Sequence, residues 1–155
     1  MFSLFKKIKI MKNYTLTLKS ILSIALILFI TSFLQSCAKK ITFATSAVVP
    51  AAEGSVKVKK DNNNNYNIDL SLIRLADPKR LNPSKNMYIV WMETDGNGTK
   101  NIGQLKTSSS MLSKTLKSFL KTVSAFKPTK IFITAEDEAS IQYPGAQTVL
   151  STDNF

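Results

Sequence analysis

An uncharged run of fifteen residues near the start of the chain follows a lysine-rich segment and precedes the part of the chain that we expect to fold as a domain. The run extends from Ser20 to Leu34, after five lysines and no acidic residue. A membrane-spanning helix needs about 20 apolar residues, so this run is short for a permanent anchor. The order of basic, apolar and small residues is typical of a cleaved signal peptide. We therefore expect residues 1–36 to form a helical signal peptide and the remaining 119 residues to form one domain.

Two alternatives stay open for this segment. Met11 is an alternative start of translation, because residues 11–36 alone have the usual proportions of a signal peptide. An uncleaved signal anchor is the alternative to removal, although the short apolar run and its flanks favour cleavage.

The residues around the expected cleavage site include the single cysteine of the chain. Leu34, Gln35 and Ser36 precede Cys37, and this order resembles the lipobox of bacterial lipoproteins. The resemblance implies that the first three residues are recognised by the signal peptidase and that the Cys37 thiol receives diacylglycerol. The new amino terminus is usually acylated as well in that family. Several acyl chains bind a membrane far more firmly than one.

The residues after the cysteine indicate which membrane would hold the lipid anchor. Ala38, Lys39 and Lys40 follow it without an acidic residue, unlike the Asp-led signal that keeps some lipoproteins in the inner membrane. We expect residues 37–40 to be the lipid-attachment site with a short tether. The expected location is the outer membrane, facing the periplasm.

The composition excludes several classes of site. The chain has no histidine and one cysteine, so a histidine base, a thiolate metal site and an internal disulfide are all excluded. From Cys37 onward there are 16 basic and 10 acidic residues. The basic residues are spread as singles and pairs, which predicts a solvated surface and no nucleic-acid partner. No cofactor or metal is expected.

Beyond Ala38 the pattern changes to short runs rich in Val, Ile, Thr, Tyr and Phe with period two, separated by Asn, Gly, Pro and Ser. This pattern predicts an all-β fold, a single immunoglobulin-like β-sandwich of seven or eight strands over residues 41–155. The predicted strands are Ile41–Val49, Ser55–Lys60, Tyr66–Leu75, Met87–Glu93, Lys100–Lys106, Thr115–Val123, Thr129–Ala135 and Gln147–Ser151. Apolar residues on both faces of Met87–Glu93 predict a central strand covered on both sides.

Two polar segments could bind a ligand, but each is more simply interpreted as a turn. Asp61 and the four asparagines after it favour a turn, because Asn accepts left-handed backbone angles. The segment Asp95–Thr99 begins like a calcium loop, but the twelfth position is Lys106 where a bidentate acid is required. A hairpin turn is the stronger interpretation.

Two further segments are ambiguous. In Met111–Ala125, helical spacing competes with a high content of Ser and Thr, and we predict a strand, with one helical turn near Met111 as the alternative. The acidic residues Glu136, Asp137 and Glu138 follow a buried strand. We interpret them as a solvated strand exit, since adjacent acids on a strand point in different directions.

The segment from Met87 to Leu150 resembles the extracytoplasmic C-terminal domain of the anti-sigma-K factor family. The matching positions are Tyr88, Trp91, Gly103, Thr134, Glu136, Pro144 and Gly145. The resemblance implies a β-sandwich in an envelope sensor system. The family's cytoplasmic sigma-binding helices have no counterpart here, and its spanning helix is replaced by the lipobox segment. The chain therefore cannot hold a cytoplasmic sigma factor by itself.

These observations predict a lipid-anchored envelope protein whose non-catalytic sandwich meets an unidentified envelope protein or ligand. The alternative is a periplasmic glycan hydrolase that uses Asp69, Glu93 or Glu136. That chemistry needs two carboxyl groups about 5 to 10 Å apart in one cleft.

Overall fold

The computed structural model describes residues 39–108 and 116–155, together with Ile21 and Ser23. The chain divides into two compact units, Met1–Cys37 and Ala38–Phe155. In the first unit, Ile21 and Ser23 are helical. Among the described residues, no helix has the length and apolar content to cross a membrane. The rest of the predicted signal segment and the four lipobox residues lie outside the described part.

The second unit is built from antiparallel strands. Its described residues form β1 (Lys39–Thr42), β2 (Glu53–Lys60), β3 (Tyr66–Ile73), β4 (Met87–Thr94), β5 (Gly98–Gln104), β6 (Lys106–Ser108), β7 (Lys117–Ser124), β8 (Pro128–Glu136) and β9 (Thr148–Ser151), with a 3-10 turn at Pro78–Arg80. They make a five-stranded sheet in the order β1-β2-β3-β7-β6 and a four-stranded sheet in the order β5-β4-β8-β9. The predicted all-β sandwich is confirmed.

The strand order explains why the fold is immunoglobulin-like. Strands β2, β3, β7 and β6 correspond to A, B, E and D of such a sandwich, and β5, β4, β8 and β9 to C′, C, F and G. Strand β1 is an additional edge strand paired with β2.

The core lies between the two sheets and follows from the alternation of the sequence. In β3, the side chains of Ile68, Leu70 and Leu72 are buried while Asn67 and Ser71 are exposed. Strands β2 and β7 alternate in the same way, so the five-stranded sheet has one apolar face and one polar face. The four-stranded sheet contributes Tyr88, Val90, Met92, Ile131 and Ile133 to the same core.

Strand β4 is central and covered on both faces, as predicted. Its other face carries Ile89 and Trp91, which form a second buried cluster with Phe132 of β8. Ile141, from the loop between β8 and β9, packs against this cluster. The indole Nε1 of Trp91 donates a hydrogen bond to the hydroxyl of Thr134 at 2.7 Å, which satisfies the one polar group of a fully buried side chain.

Both polar loops are turns, as predicted. The carboxylate of Asp61 accepts hydrogen bonds from the backbone N–H groups of Asn63 and Asn65, and Asn64 has a φ of 65°. In the β4–β5 hairpin the left-handed positions are taken by Gly96 and Gly98. Among the described residues, no group of three or more histidine, cysteine or acidic side chains could hold a metal ion.

The strand predicted over Ile41–Val49 is wrong beyond Thr42. Strand β1 starts at Lys39, so Lys39 and Lys40 belong to the sheet and not to a tether, and it ends at Thr42. The chain then crosses to the other sheet, where the N–H of Ala44 bonds to the carbonyl of Ser151. The Ser46 hydroxyl accepts from the N–H of Val49 and holds a turn, which interrupts the strand.

Of the ambiguous segment Met111–Ala125, the structure describes residues 116–125, and Lys117–Ser124 of these form a strand. The alternative helical turn near Met111 lies outside the described residues. The predicted strand Lys100–Lys106 is divided, because β5 ends at Gln104 in one sheet and Lys106 opens β6 in the other.

Substitution of Thr134 tests the buried Trp91–Thr134 bond. Thr134→Val leaves the indole N–H without a partner, and we expect it to lower the free energy of unfolding by about 1–3 kcal/mol. Thr134→Ser keeps the acceptor and is the matched control. Urea unfolding of both variants measures the difference, and a valine variant at least as stable as the serine variant would contradict this role for the bond.

Candidate functional site

The residues that carry the family resemblance are brought together at the four-stranded sheet. Trp91 and Thr134 lie on its outward face, and Glu136 ends β8 on the same face. The carboxylate of Glu136 accepts the backbone N–H of Gly145 at 2.7 Å, which places the Pro144–Gly145 turn beside it. These contacts hold the β8–β9 loop, residues 137–147, across the sheet.

Further hydrogen bonds fix the β8–β9 loop at other points. The side-chain amide of Asn101 donates to the carbonyl oxygens of Ala139 and Ile141, at 3.0 and 3.2 Å. The ammonium of Lys85 lies 2.6 Å from the carboxylate of Asp137, and this hydrogen bond raises the pKa of Lys85. The loop is therefore an integral cover of the sheet, with Tyr143 exposed at 81% on its outside.

The interpretation of Glu136 as part of a solvated strand exit is wrong. Glu136 is 6% exposed, whereas Asp137 and Glu138 are exposed as expected. The carboxylate is buried because the β8–β9 loop closes over it and supplies an N–H donor. Apart from Gly145, which allows the close approach, the local sequence does not indicate that the β8–β9 loop closes over Glu136.

Two other motif residues have separate structural roles. Gly103 has a φ of 132° and lies opposite the register shift of β4 between Val90 and Trp91. A Cβ atom at Gly103 would approach Leu120 of the facing sheet to 3.2 Å. The hydroxyl of Tyr88 donates to the carbonyl of Ala76 at 3.0 Å, on the opposite face of β4 from Trp91.

The three carboxylates of the hydrolase alternative do not share a cleft. Asp69 is on the outward face of the five-stranded sheet, whereas Glu93 and Glu136 belong to the other sheet. Glu136 pairs with Met87, six residues from Glu93 along β4, so the two acids are separated by about 20 Å of strand. This distance exceeds what either mechanism of glycoside hydrolysis uses.

A cavity of about 320 Å³ lies next to Tyr88 and includes Asp77, Gln104 and Thr107 in its lining. Burial, and secondarily the negative charge of Asp77, raise the pKa of the Tyr88 phenol to about 12. The phenol therefore stays protonated and donates its hydrogen bond at neutral pH.

The most distinctive surface is one that the sequence reasoning missed. We use the term basic face for the outward side of the five-stranded sheet. Its charged side chains are Lys40, Glu53, Lys57, Lys59, Asp69, Arg74, Lys106, Lys117 and Lys121. Seven of these are cations and two are anions, whereas the chain from Cys37 onward has 16 basic and 10 acidic residues. Nearly all of the net positive charge is therefore on one face.

The register of the strands gathers basic residues that occur as singles and pairs along the sequence. Lys40, Lys57, Asp69 and Lys121 are directly opposite one another on four neighbouring strands. The next row consists of Thr42, Ser55, Ser71 and Phe119. The signal in the sequence was the even spacing of Lys57 and Lys59 in β2 and of Lys117 and Lys121 in β7, which period two assigns to one face of each strand.

The basic face is open and partly apolar. Phe119 is 40% exposed and Val123 is 59% exposed, each two residues from a lysine of the face. A groove of about 490 Å³ beside β1 includes Lys40, Thr42, Ser55, Ser71 and the acidic Glu53 in its lining. Hydroxyl groups and ammonium groups are hydrogen-bond donors, so this surface suits anionic oxygen ligands.

Comparisons with protein-family models, with curated proteins and with solved structures found no match to this chain.

Substitution of Gly145 tests the contact that closes the β8–β9 loop. A Cβ atom at this position would lie 2.6 Å from the Glu136 carboxylate, so we expect Gly145→Ala to displace the carboxylate. Loss of this hydrogen bond should lower the free energy of unfolding by about 1–3 kcal/mol. In a Glu136→Ala background the same substitution should cost little. Equal penalties in both backgrounds, measured by urea unfolding, would show that the contact is unimportant.

The Tyr88 phenol gives a pH-dependent prediction. An unfolded phenol ionises near pH 10.0, and the folded one near pH 12. The stability that Tyr88 contributes is therefore fully present below pH 10.0 and is lost as the pH rises through about 12. Stopped-flow ultraviolet titration should show a late phenolate step that is absent from Tyr88→Phe. Identical titrations of the two proteins would contradict the elevated pKa.

Proposed function

We propose that the chain is a lipid-anchored protein of the bacterial cell envelope. The observation that carries the proposal is the sequence Leu34-Gln35-Ser36-Cys37 directly after an uncharged run with a basic flank. In this proposal the signal segment is removed, and Cys37 carries the lipid. The expected membrane is the outer membrane, with the domain in the periplasm.

The position of the first strand supports a domain that is held close to the membrane. Strand β1 starts at Lys39, two residues after the cysteine, and two residues span at most about 7 Å. A flexible linker would let a sandwich move away from the lipid surface. Without one, a surface of the domain is presented to the membrane itself.

The sandwich is proposed to act as a binding or structural module for an envelope protein or ligand. An anti-sigma-like sensor component is the more specific version of this proposal. The juxtaposition of Trp91 with Thr134 and of Glu136 with Gly145 supports it, because these positions carry the family resemblance. Its test is whether the gene adjoins one for a sigma factor of the extracytoplasmic type.

Replacement of the cysteine tests the anchor. Cys37→Ser removes the thiol that accepts the lipid, so we expect no labelling by radioactive palmitate and an accumulation of a larger, unprocessed precursor. Gln35→Ala is the control, since the middle lipobox position is tolerant and labelling should persist. Labelling of the Cys37→Ser variant would overturn the proposal.

A further inference from the structure

The cations of the basic face occupy a broad surface and are mostly without carboxylate partners. Lys121 lies 3.5 Å from Asp69, and Arg74 lies 2.9 Å from Glu53. Both pairs are exposed, and such pairs contribute little to stability. Of the side chains that the structure describes on this face, Lys57, Lys59 and Lys117 have no ion-pair partner within 4.0 Å. Conformational stability therefore does not account for their placement.

The shape of the face favours an extended anionic partner over a small ligand. Eight-residue strands such as β2, β3 and β7 are about 26 Å long. The groove beside β1 is open, and the lysines are distributed along the strands instead of converging on one point. Many equivalent cations on a flat surface match many equivalent anions on another surface.

Exposed apolar side chains among the lysines point to a lipid surface. Phe119 lies between Lys117 and Lys121 in sequence, and Val123 follows. Aromatic and aliphatic groups beside lysines are typical of elements that lie in the interface of an anionic membrane. A soluble polyanion would offer the lysines charge but would give Phe119 and Val123 no apolar environment.

The two faces of the sandwich differ in a way that sets its orientation. The four-stranded sheet is covered on its outward side by the β8–β9 loop, through Ile141 and the bond from Gly145 to Glu136. Among residues 39–108 and 116–155, no loop covers β7 of the five-stranded sheet in this way, and Phe119 and Val123 are exposed there. Its edge strand β1 is the one that directly follows Cys37.

We propose that the basic face lies on the anionic phospholipid headgroups of the membrane that holds the anchor. This inference rests on the proposed lipid anchor, which makes the second contact intramolecular. Each lysine near an anionic leaflet contributes about fivefold to the population of the docked orientation, corresponding to about 1 kcal/mol. The hydroxyls of Thr42, Ser55 and Ser71 add donors for headgroup phosphates.

A tryptophan placed on each face tests this orientation in the lipidated protein obtained by expressing the full chain. Phe119→Trp puts an indole on the basic face, and Tyr143→Trp puts one on the loop over the other sheet. The native Trp91 is fully buried and supplies the baseline. The proteins are reconstituted into vesicles of brominated phosphatidylglycerol or brominated phosphatidylcholine, and quenching of fluorescence is measured.

The expected result is strong quenching for Phe119→Trp in the anionic vesicles and weak quenching in the neutral ones. Tyr143→Trp should stay near the Trp91 baseline in both. Adding Lys57→Gln, Lys59→Gln and Lys117→Gln to the Phe119→Trp protein should remove most of the quenching. The control set Lys79→Gln, Arg80→Gln and Lys127→Gln removes the same charge from exposed positions elsewhere and should leave it unchanged.

Equal quenching at the two positions, or quenching that both glutamine sets reduce alike, would overturn the proposed orientation. Flotation with neutral vesicles reports the lipid anchor separately. If the protein floats with both vesicle types but the two indoles are quenched equally, the lipid anchor is supported and docking of the basic face is contradicted. If the protein floats only with anionic vesicles and Phe119→Trp is quenched, docking of the basic face is supported and the lipid anchor is contradicted.

Discussion

The ladder between β4 and β8 is buried on both sides, and the rest of the sandwich is arranged to cover it. These strands run side by side from Met87 to Thr94 and from Pro128 to Glu136. A strand with apolar side chains on both faces is stable only when both faces are removed from water. The five-stranded sheet covers the inner face. The outer face depends on the β8–β9 loop, which has little regular structure of its own.

That dependence explains the polar contacts at the second cluster. A loop that closes over apolar side chains also buries backbone groups and nearby polar side chains, and each of these needs a partner. The Trp91 indole has the Thr134 hydroxyl, and the Glu136 carboxylate has the N–H of Gly145. Two carbonyl groups of the loop accept from Asn101. The covering of β4 therefore explains the structural roles of Trp91, Thr134, Glu136 and Gly145.

The two outward faces consequently offer different surfaces to the surroundings. The outward face of the four-stranded sheet packs against the β8–β9 loop. The other sheet keeps a solvent-facing side with lysines, hydroxyls and the exposed Phe119 and Val123. The first strand of this sheet directly follows the proposed lipid site, so the orientation proposed above would bring the most cationic surface of the sandwich to the membrane.

The sequence by itself determined the fold class, the main turns and the two-sided burial of β4, because alternation and turn chemistry act between near neighbours. The sequence also contains the linear motif on which the proposed lipidation of Cys37 rests. Tertiary structure alone decided that Glu136 is buried, that β1 ends at Thr42, and that lysines from four strands share one face. These outcomes depend on loop closure and strand register between distant segments, and single-strand periodicity carries no information about which strands become neighbours.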